Sequence, residues 1–181
     1  MKLLLVLAAV MVLLAGCTTT YVASRYSISA DNVKTLRTFK GQCVNVGPFS
    51  AANPGQTEIK CRGLGGAPIR TPDGEAYEDF VRKALVDDLT IAEIYASDAP
   101  ITLTGRLDAV DFSSFAGASW TIGLTITSSN GQSLSVSEDY KYPSSFEGVT
   151  ACNATAQALM PAVQNVIGKV IRHPNFPALL Q

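Results

Sequence analysis

The stretch from Ile101 to Tyr142 constrains the fold more than any other part of this sequence. Ile101, Leu103, Gly105 and Leu107 alternate with Thr102, Thr104, Arg106 and Asp108. A period of two places the first set on one face of a strand and the second on the other. The phase slips at Ala109-Val110, after which Val110 and Phe112 share a face. A bulge is expected there, because one extra residue swaps the faces. Trp120, Ile122, Leu124 and Ile126 then alternate with Thr121, Gly123, Thr125 and Thr127, and Leu134, Val136 and Tyr140 continue after Asn130-Gly131. Asn-Gly between alternating runs suits the positive φ angles of a tight hairpin. Residues 101–142 are therefore read as a three-stranded antiparallel meander.

Other elements follow from shorter signals. Residues 29–36 form a short helix capped by Ser29 or Asp31, and residues 42–49 form a strand bounded by Gly47-Pro48. Residues 51–70 are rich in Gly, Pro and Asn and read as a long loop, with a short strand at Glu58–Cys61. A helix is expected from Pro72, with Thr71 as its cap and Asp73 and Glu75 in its first turn. Tyr77, Phe80, Val81, Ala84, Leu85 and Leu89 form its apolar stripe, with Arg82, Lys83, Asp87 and Asp88 largely outside it. A last helix covers about 151–172, and Pro161 inside it should kink or break it. The order β-α-β-β-β-α predicts an α+β domain, a mostly antiparallel sheet with two helices packed on one face.

The N-terminus carries an export signal. One lysine, Lys2, precedes an unbroken apolar run from Leu3 to Leu14, and the small residues Ala15-Gly16 precede Cys17. A charged start, a short apolar segment and small residues at a cut site describe a signal peptide. The run is short for a membrane span, which needs ~20 apolar residues. Leu14-Ala15-Gly16-Cys17 resembles the lipobox of bacterial lipoproteins. That resemblance implies diacylglycerol on the Cys17 thiol, cleavage before Cys17 and acylation, typically with palmitate, of the new amino group. Thr18 stands where the sorting rule of enteric bacteria places Asp for retention in the inner membrane. The resemblance therefore implies the periplasmic face of the outer membrane over the inner membrane. The chain divides into a signal peptide (1–16), a lipidated cysteine with its tether (17–28) and one periplasmic domain (29–181). Read as an extended tether, residues 18–26 reach at most ~30 Å.

Composition narrows the partners. Without residues 1–16 the net charge is about −2, with 13 Lys+Arg against 15 Asp+Glu. No basic run offers the clustered cations that a nucleic acid needs. Beyond Cys17 the cysteines are Cys43, Cys61 and Cys152, which allow one disulfide in an oxidising compartment. Cys61–Cys152 is the first expectation, because each lies at the edge of an element. Cys43–Cys61 is the alternative. Cys43 inside a strand would otherwise be a buried free thiol. No pair has C-x-x-C spacing, so no metal site and no cofactor is expected.

Catalytic chemistry finds little support. His173 stands alone at a helix end, where a favourable dipole explains it. Arg62-Gly63-Leu64-Gly65-Gly66 lacks the Lys-Ser/Thr of a phosphate-binding loop and reads as a flexible connection. Glu138 and Asp139 are neighbours in a strand and point to opposite faces. Phe112, Phe115 and Trp120 around a small-residue turn have two readings: core, or a patch that contacts protein or lipid.

In order of elements over residues ~42–172, the chain resembles small periplasmic lipoproteins that assist envelope machines. The comparison is with the lipopolysaccharide-assembly lipoprotein and the auxiliary lipoproteins of lipid-transporting ABC systems. The stretches that carry it are Ala99–Gly105, leading into the meander, and Ser137–Tyr142, before the closing helix. Cys17-Thr18-Thr19-Thr20 departs from the apolar start of the first family, and Cys61 and Cys152 are extra. The resemblance implies a non-enzymatic, membrane-anchored binding or assembly component with an envelope protein partner. A lipid- or glycolipid-binding auxiliary of envelope transport is the second expectation, and an envelope hydrolase the third.

Overall fold

A computed structural model describes residues 20–61, 66–115 and 117–181. The signal peptide, Cys17 and most of the Arg62–Gly66 segment lie outside the described residues. The fold is α+β, with helices layered over a four-stranded sheet and a smaller three-stranded sheet beside them.

The meander forms as its alternation predicts. Strands β5 (Thr102–Ser113), β6 (Ser119–Ser128) and β7 (Ser133–Lys141) pair antiparallel in sequence order. The β5–β6 register steps from Leu107↔Leu124 to Ala109↔Gly123, so Asp108 is the extra residue of the expected bulge. Leu103, Leu107, Phe112, Trp120, Ile122, Leu124, Ile126 and Leu134 are all buried on the inner face. The outer face is polar, and there Thr125 Oγ1 lies 2.6 Å from Asp108 Oδ2 and 2.7 Å from Ser135 Oγ.

The sheet is mixed rather than mostly antiparallel. Strand β2 (Asn45–Ala51) adds to β5 in parallel. The intervening segments supply the crossover that a parallel neighbour requires. Phe49 of β2 covers Gly105, where a Cβ would fall 2.4 Å from the Phe49 ring. The small sheet has the order β1-β4-β3, from β1 (Tyr21–Val22), β3 (Glu58–Lys60) and β4 (Pro68–Arg70). In it β1 runs parallel to β4, and β3 runs antiparallel to β4. The expected tether is therefore largely part of the fold. Tyr21–Val22 is a strand, Ala23 is buried, and Ser24 Oγ donates to Gln157 Oε1 at 2.5 Å.

Three helices are present among the described residues: α1 (Ala30–Leu36), α2 (Tyr77–Ile91) and α3 (Gly148–Ile171). Ser29 caps α1, its Oγ accepting from Asn32 N at 3.3 Å. Helix α2 starts five residues later than Pro72. Thr71–Gly74 instead closes a turn, with Gly74 at φ 69° and its N–H donating to Thr71 O at 3.2 Å. Pro-Asp-Gly is strong turn chemistry, and it prevails over proline's fitness for a first helical position. Thr71 Oγ1 donates to Glu75 O at 2.6 Å, and Tyr77 N donates to Gln56 O at 3.0 Å, which supplies the missing cap.

Helix α3 runs through Pro161 without a break. Proline removes one backbone bond, but α3 is held by packing against β6, β7, β1 and α1. Ala156, Leu159, Val163, Val166, Ile167 and Val170 supply its buried face. Asp88, expected outside the stripe of α2, is fully buried. It accepts from Tyr26 Oη at 2.9 Å, Asn32 Nδ2 at 3.0 Å and Ser29 N at 3.3 Å. Asn32 Nδ2 also donates to Gln164 O at 3.0 Å, and Arg172 donates to Asn32 Oδ1 at 3.2 Å. This polar knot joins the N-terminal segment, α1, α2 and α3 at the C-terminal end of α3.

Candidate contact surface

The opposite end of α3 has a different character. The β5–β6 turn and the segment before α3 are tied together there. Ser144 Oγ donates to Ser114 O at 2.6 Å, and Tyr142 Oη lies 2.9 Å from Ser113 O and 2.7 Å from Thr155 Oγ1. Trp120 is buried beneath, its Nε1 donating to Thr155 O at 2.8 Å. Phe112 packs on Trp120 with ring centroids 4.9 Å apart. Of the three aromatics singled out from the sequence, Phe112 and Trp120 are therefore core, and Phe115 alone is exposed, at 57%.

Phe115 does not stand alone. Its ring meets that of Phe146 edge-on at 5.7 Å, and Phe146 is 94% exposed. Val149, in the first turn of α3, is 61% exposed. A shallow cavity of about 280 Å³ lies beside the two phenylalanines, lined by Phe115, Gly117, Ala118, Tyr142, Ser144 and Phe146. Sequence reasoning missed Phe146. The available signal was an apolar residue just before a helix cap, which ordinarily staples onto the first turn. Here the cap is Glu147, whose carboxylate accepts from Val149 N at 3.0 Å and Thr150 N at 2.6 Å, while Phe146 points outward. Those bonds, with the Thr150 hydroxyl foremost, hold the Glu147 carboxyl below its ordinary range.

A disulfide joins this end to the small sheet. Cys61–Cys152 is present, with Cα atoms 5.9 Å apart, as first expected. The alternative Cys43–Cys61 is not formed. Cys43 is also not buried in a strand: its thiol is free and exposed, because β2 begins only at Asn45. Cys61 N donates to Ala67 O at 3.1 Å, Lys60 pairs with Pro68, and Tyr21 pairs with Ile69. The described chain thus begins one residue before Tyr21, on the strand beside Pro68 and two strands from the bridge. Ser24 contacts Gln157, and Ser27 O accepts from Gln164 Nε2 at 2.8 Å, so the N-terminal segment climbs α3 from its start towards its end. Thr20 accordingly lies at the same end as Phe146 and Val149.

The remaining sequence candidates are dispersed. His173 Nδ1 accepts from Asn175 N at 3.1 Å at the close of α3. Glu138 is buried and paired with Lys169 Nζ at 2.8 Å, whereas Asp139 is exposed on the other face. A cavity of about 410 Å³ beside the bulge is lined by Asn53, Gln56, Asp108, Asp111 and apolar residues, and holds no nucleophile–base pair. Among the described residues no three His, Cys, Asp or Glu side chains converge as metal ligands, and no helix is long and apolar enough to cross a membrane.

No protein-family model matches the chain, and no curated protein sequence matches it. Solved structures do. A Xanthomonas campestris protein of the DUF330 family aligns at 15% identity and a TM-score of 0.54, covering 84% of this chain and 95% of that one. An uncharacterized protein aligns at 10% identity and a TM-score of 0.48, over 84% of this chain and 99% of that one. The PelC dodecamer from Paraburkholderia phytofirmans aligns at 15% identity and a TM-score of 0.36, over 76% of this chain and 94% of that one. The DUF330 likeness establishes a shared fold.

Proposed function

We propose that this protein is a lipoprotein, anchored through Cys17 to the periplasmic face of the outer membrane, that works as a non-enzymatic binding or assembly component of an envelope complex. The observation that carries this reading is the position of Thr20. It already lies beside the sheet, and three residues span at most ~10 Å even when extended. An acyl group on Cys17 would hold the folded domain directly on the bilayer, where a short reach suits a membrane-bound partner better than a diffusing substrate. The disulfide Cys61–Cys152 supports an oxidising compartment. Two or more acyl chains anchor a protein stably where one does not.

Intact-mass analysis of the full chain from membranes tests the anchor. The expected product begins at Cys17 and carries acyl groups, and Cys17→Ser releases the domain to the soluble periplasm. In-cell crosslinking then tests the partner: a discrete envelope protein should be trapped, in amounts that fall with Cys17→Ser. An unacylated chain that fractionates as soluble would remove this function.

A further inference from the structure

We propose that Phe115, Phe146 and Val149 form a lipid-facing patch that seats the domain on the bilayer in one orientation, with the N-terminal end of α3 against the membrane. This rests on the reading of Cys17 as the anchor and adds to it the face that the anchor presents.

Two independent lines place the patch beside the point where the chain leaves the fold. The first is strand register: Thr20 precedes Tyr21↔Ile69, Pro68 pairs with Lys60, and Cys61 is bonded to Cys152. The second is distance along α3. Ser24 meets Gln157. Four extended residues back from Ser24 cover ~13 Å, which is about nine residues of helix at ~1.5 Å each. That returns to the start of α3, at Gly148. Val149 is three residues before Cys152, one turn nearer the start of the same helix.

The chemistry of the patch fits a lipid interface. Its side chains project from a turn and a helix start, with only a shallow cavity between the two rings, so a bilayer accommodates them without shape complementarity. Interfacial residues sink ~5–10 Å into the headgroup boundary, comparable to the ~10 Å that three residues span at most. Lys141 is exposed at the end of β7, and the next residue bonds back to Ala118 at the same turn. A lysine there can extend its charge to anionic headgroups while its stem covers apolar surface. The Glu147 carboxylate is occupied by the amides of its own helix.

The test uses the acylated full chain in vesicles of phosphatidylethanolamine and phosphatidylglycerol whose acyl chains are brominated. Phe146→Trp adds a second indole to the single native tryptophan, and Ile91→Trp, exposed near α1, serves as the control. With Phe146→Trp, roughly half the tryptophan emission should be lost to the quencher, because one of two indoles reaches the acyl boundary. Ile91→Trp should be spared. If the acylated chain floats with the vesicles but neither position is quenched, or both are quenched equally, the orientation is wrong and the anchor stands. A chain without acyl groups by mass overturns both. If Phe115→Ser with Phe146→Ser converts a detergent-solubilised oligomer into a monomer, the patch covers a second copy and the lipid assignment is overturned.

Discussion

The two ends of α3 answer the same problem in opposite ways. At the C-terminal end, polar groups are buried and every principal partner is internal: Asp88 accepts from Tyr26, Asn32 and Ser29, and Arg172 reaches back to Asn32. At the N-terminal end, a covalent bridge fixes the helix and apolar rings are left in water. Buried polar groups that are fully bonded specify one arrangement and need nothing from outside. Exposed aromatic groups over a covalently braced frame do the reverse: they add nothing to the fold and are available to a partner.

The sharpest test of this contrast is the bridge. Replacing Cys61 and Cys152 together by serine should lower unfolding free energy by ~4 kcal/mol, read from denaturant midpoints, because the closed loop is long and the residues are 91 apart. Loss of less than the polar knot contributes would reverse the comparison. Asp88→Asn should cost ~2 kcal/mol, since a single amide oxygen cannot accept from three buried donors. Gly168→Ala should cost ~1 kcal/mol despite alanine's better helix propensity, because its Cβ would fall 2.8 Å from Asn32 Oδ1 and displace Arg172. Phe115→Ser with Phe146→Ser should change stability by less than ~0.5 kcal/mol. A larger loss would make the patch part of the core.

Acid should separate the ends by sign. Burial raises the Asp88 carboxyl above its ordinary range, so the folded state holds that proton more tightly than the unfolded chain. Its contribution is full below the unfolded value and fades as pH rises through the raised folded one. The stability gap between the native chain and Asp88→Asn should therefore widen on acidification. Glu147 is lowered by Thr150 and the cap amides. Its contribution is present above the unfolded value and fades as pH falls through the folded one, so the gap to Glu147→Gln should narrow. Parallel thermal melts across mildly acidic pH distinguish the two.

The legible parts of this fold were those with a period. The meander could be read because one face of an antiparallel sheet is wet, and Thr and Ser alternate with Leu and Ile over three strands. Strands β1 and β4 span two and three residues, too few to show any alternation, and so Tyr21–Val22 read as tether and Pro68–Arg70 as loop. Cys61–Cys152 was reachable because both cysteines border an element. Asp88 reads as exposed because it is charged, and only its three donors, 56 to 62 residues away in sequence, make burial tolerable. Phe115 was recognised beside its turn, but its partner Phe146 lies across the sheet connection, a pairing that spacing alone does not reveal.

The parallel seat of β2 against β5, together with the dependence of β1, α1 and the small sheet on α3, bears on biogenesis. A ribosome releases the chain from its N-terminus, yet β1, α1 and β4 all lean on α3, which is made after the whole sheet. Topologies dominated by distant pairings are slow to close and expose apolar surface while they wait. Until residues 148–171 emerge, Cys61 has no partner and the inner faces of β6 and β7 lack their main cover. Such a chain would be expected to depend on a holding chaperone, and a truncation before α3 would be expected to be degraded rather than to persist as a smaller domain.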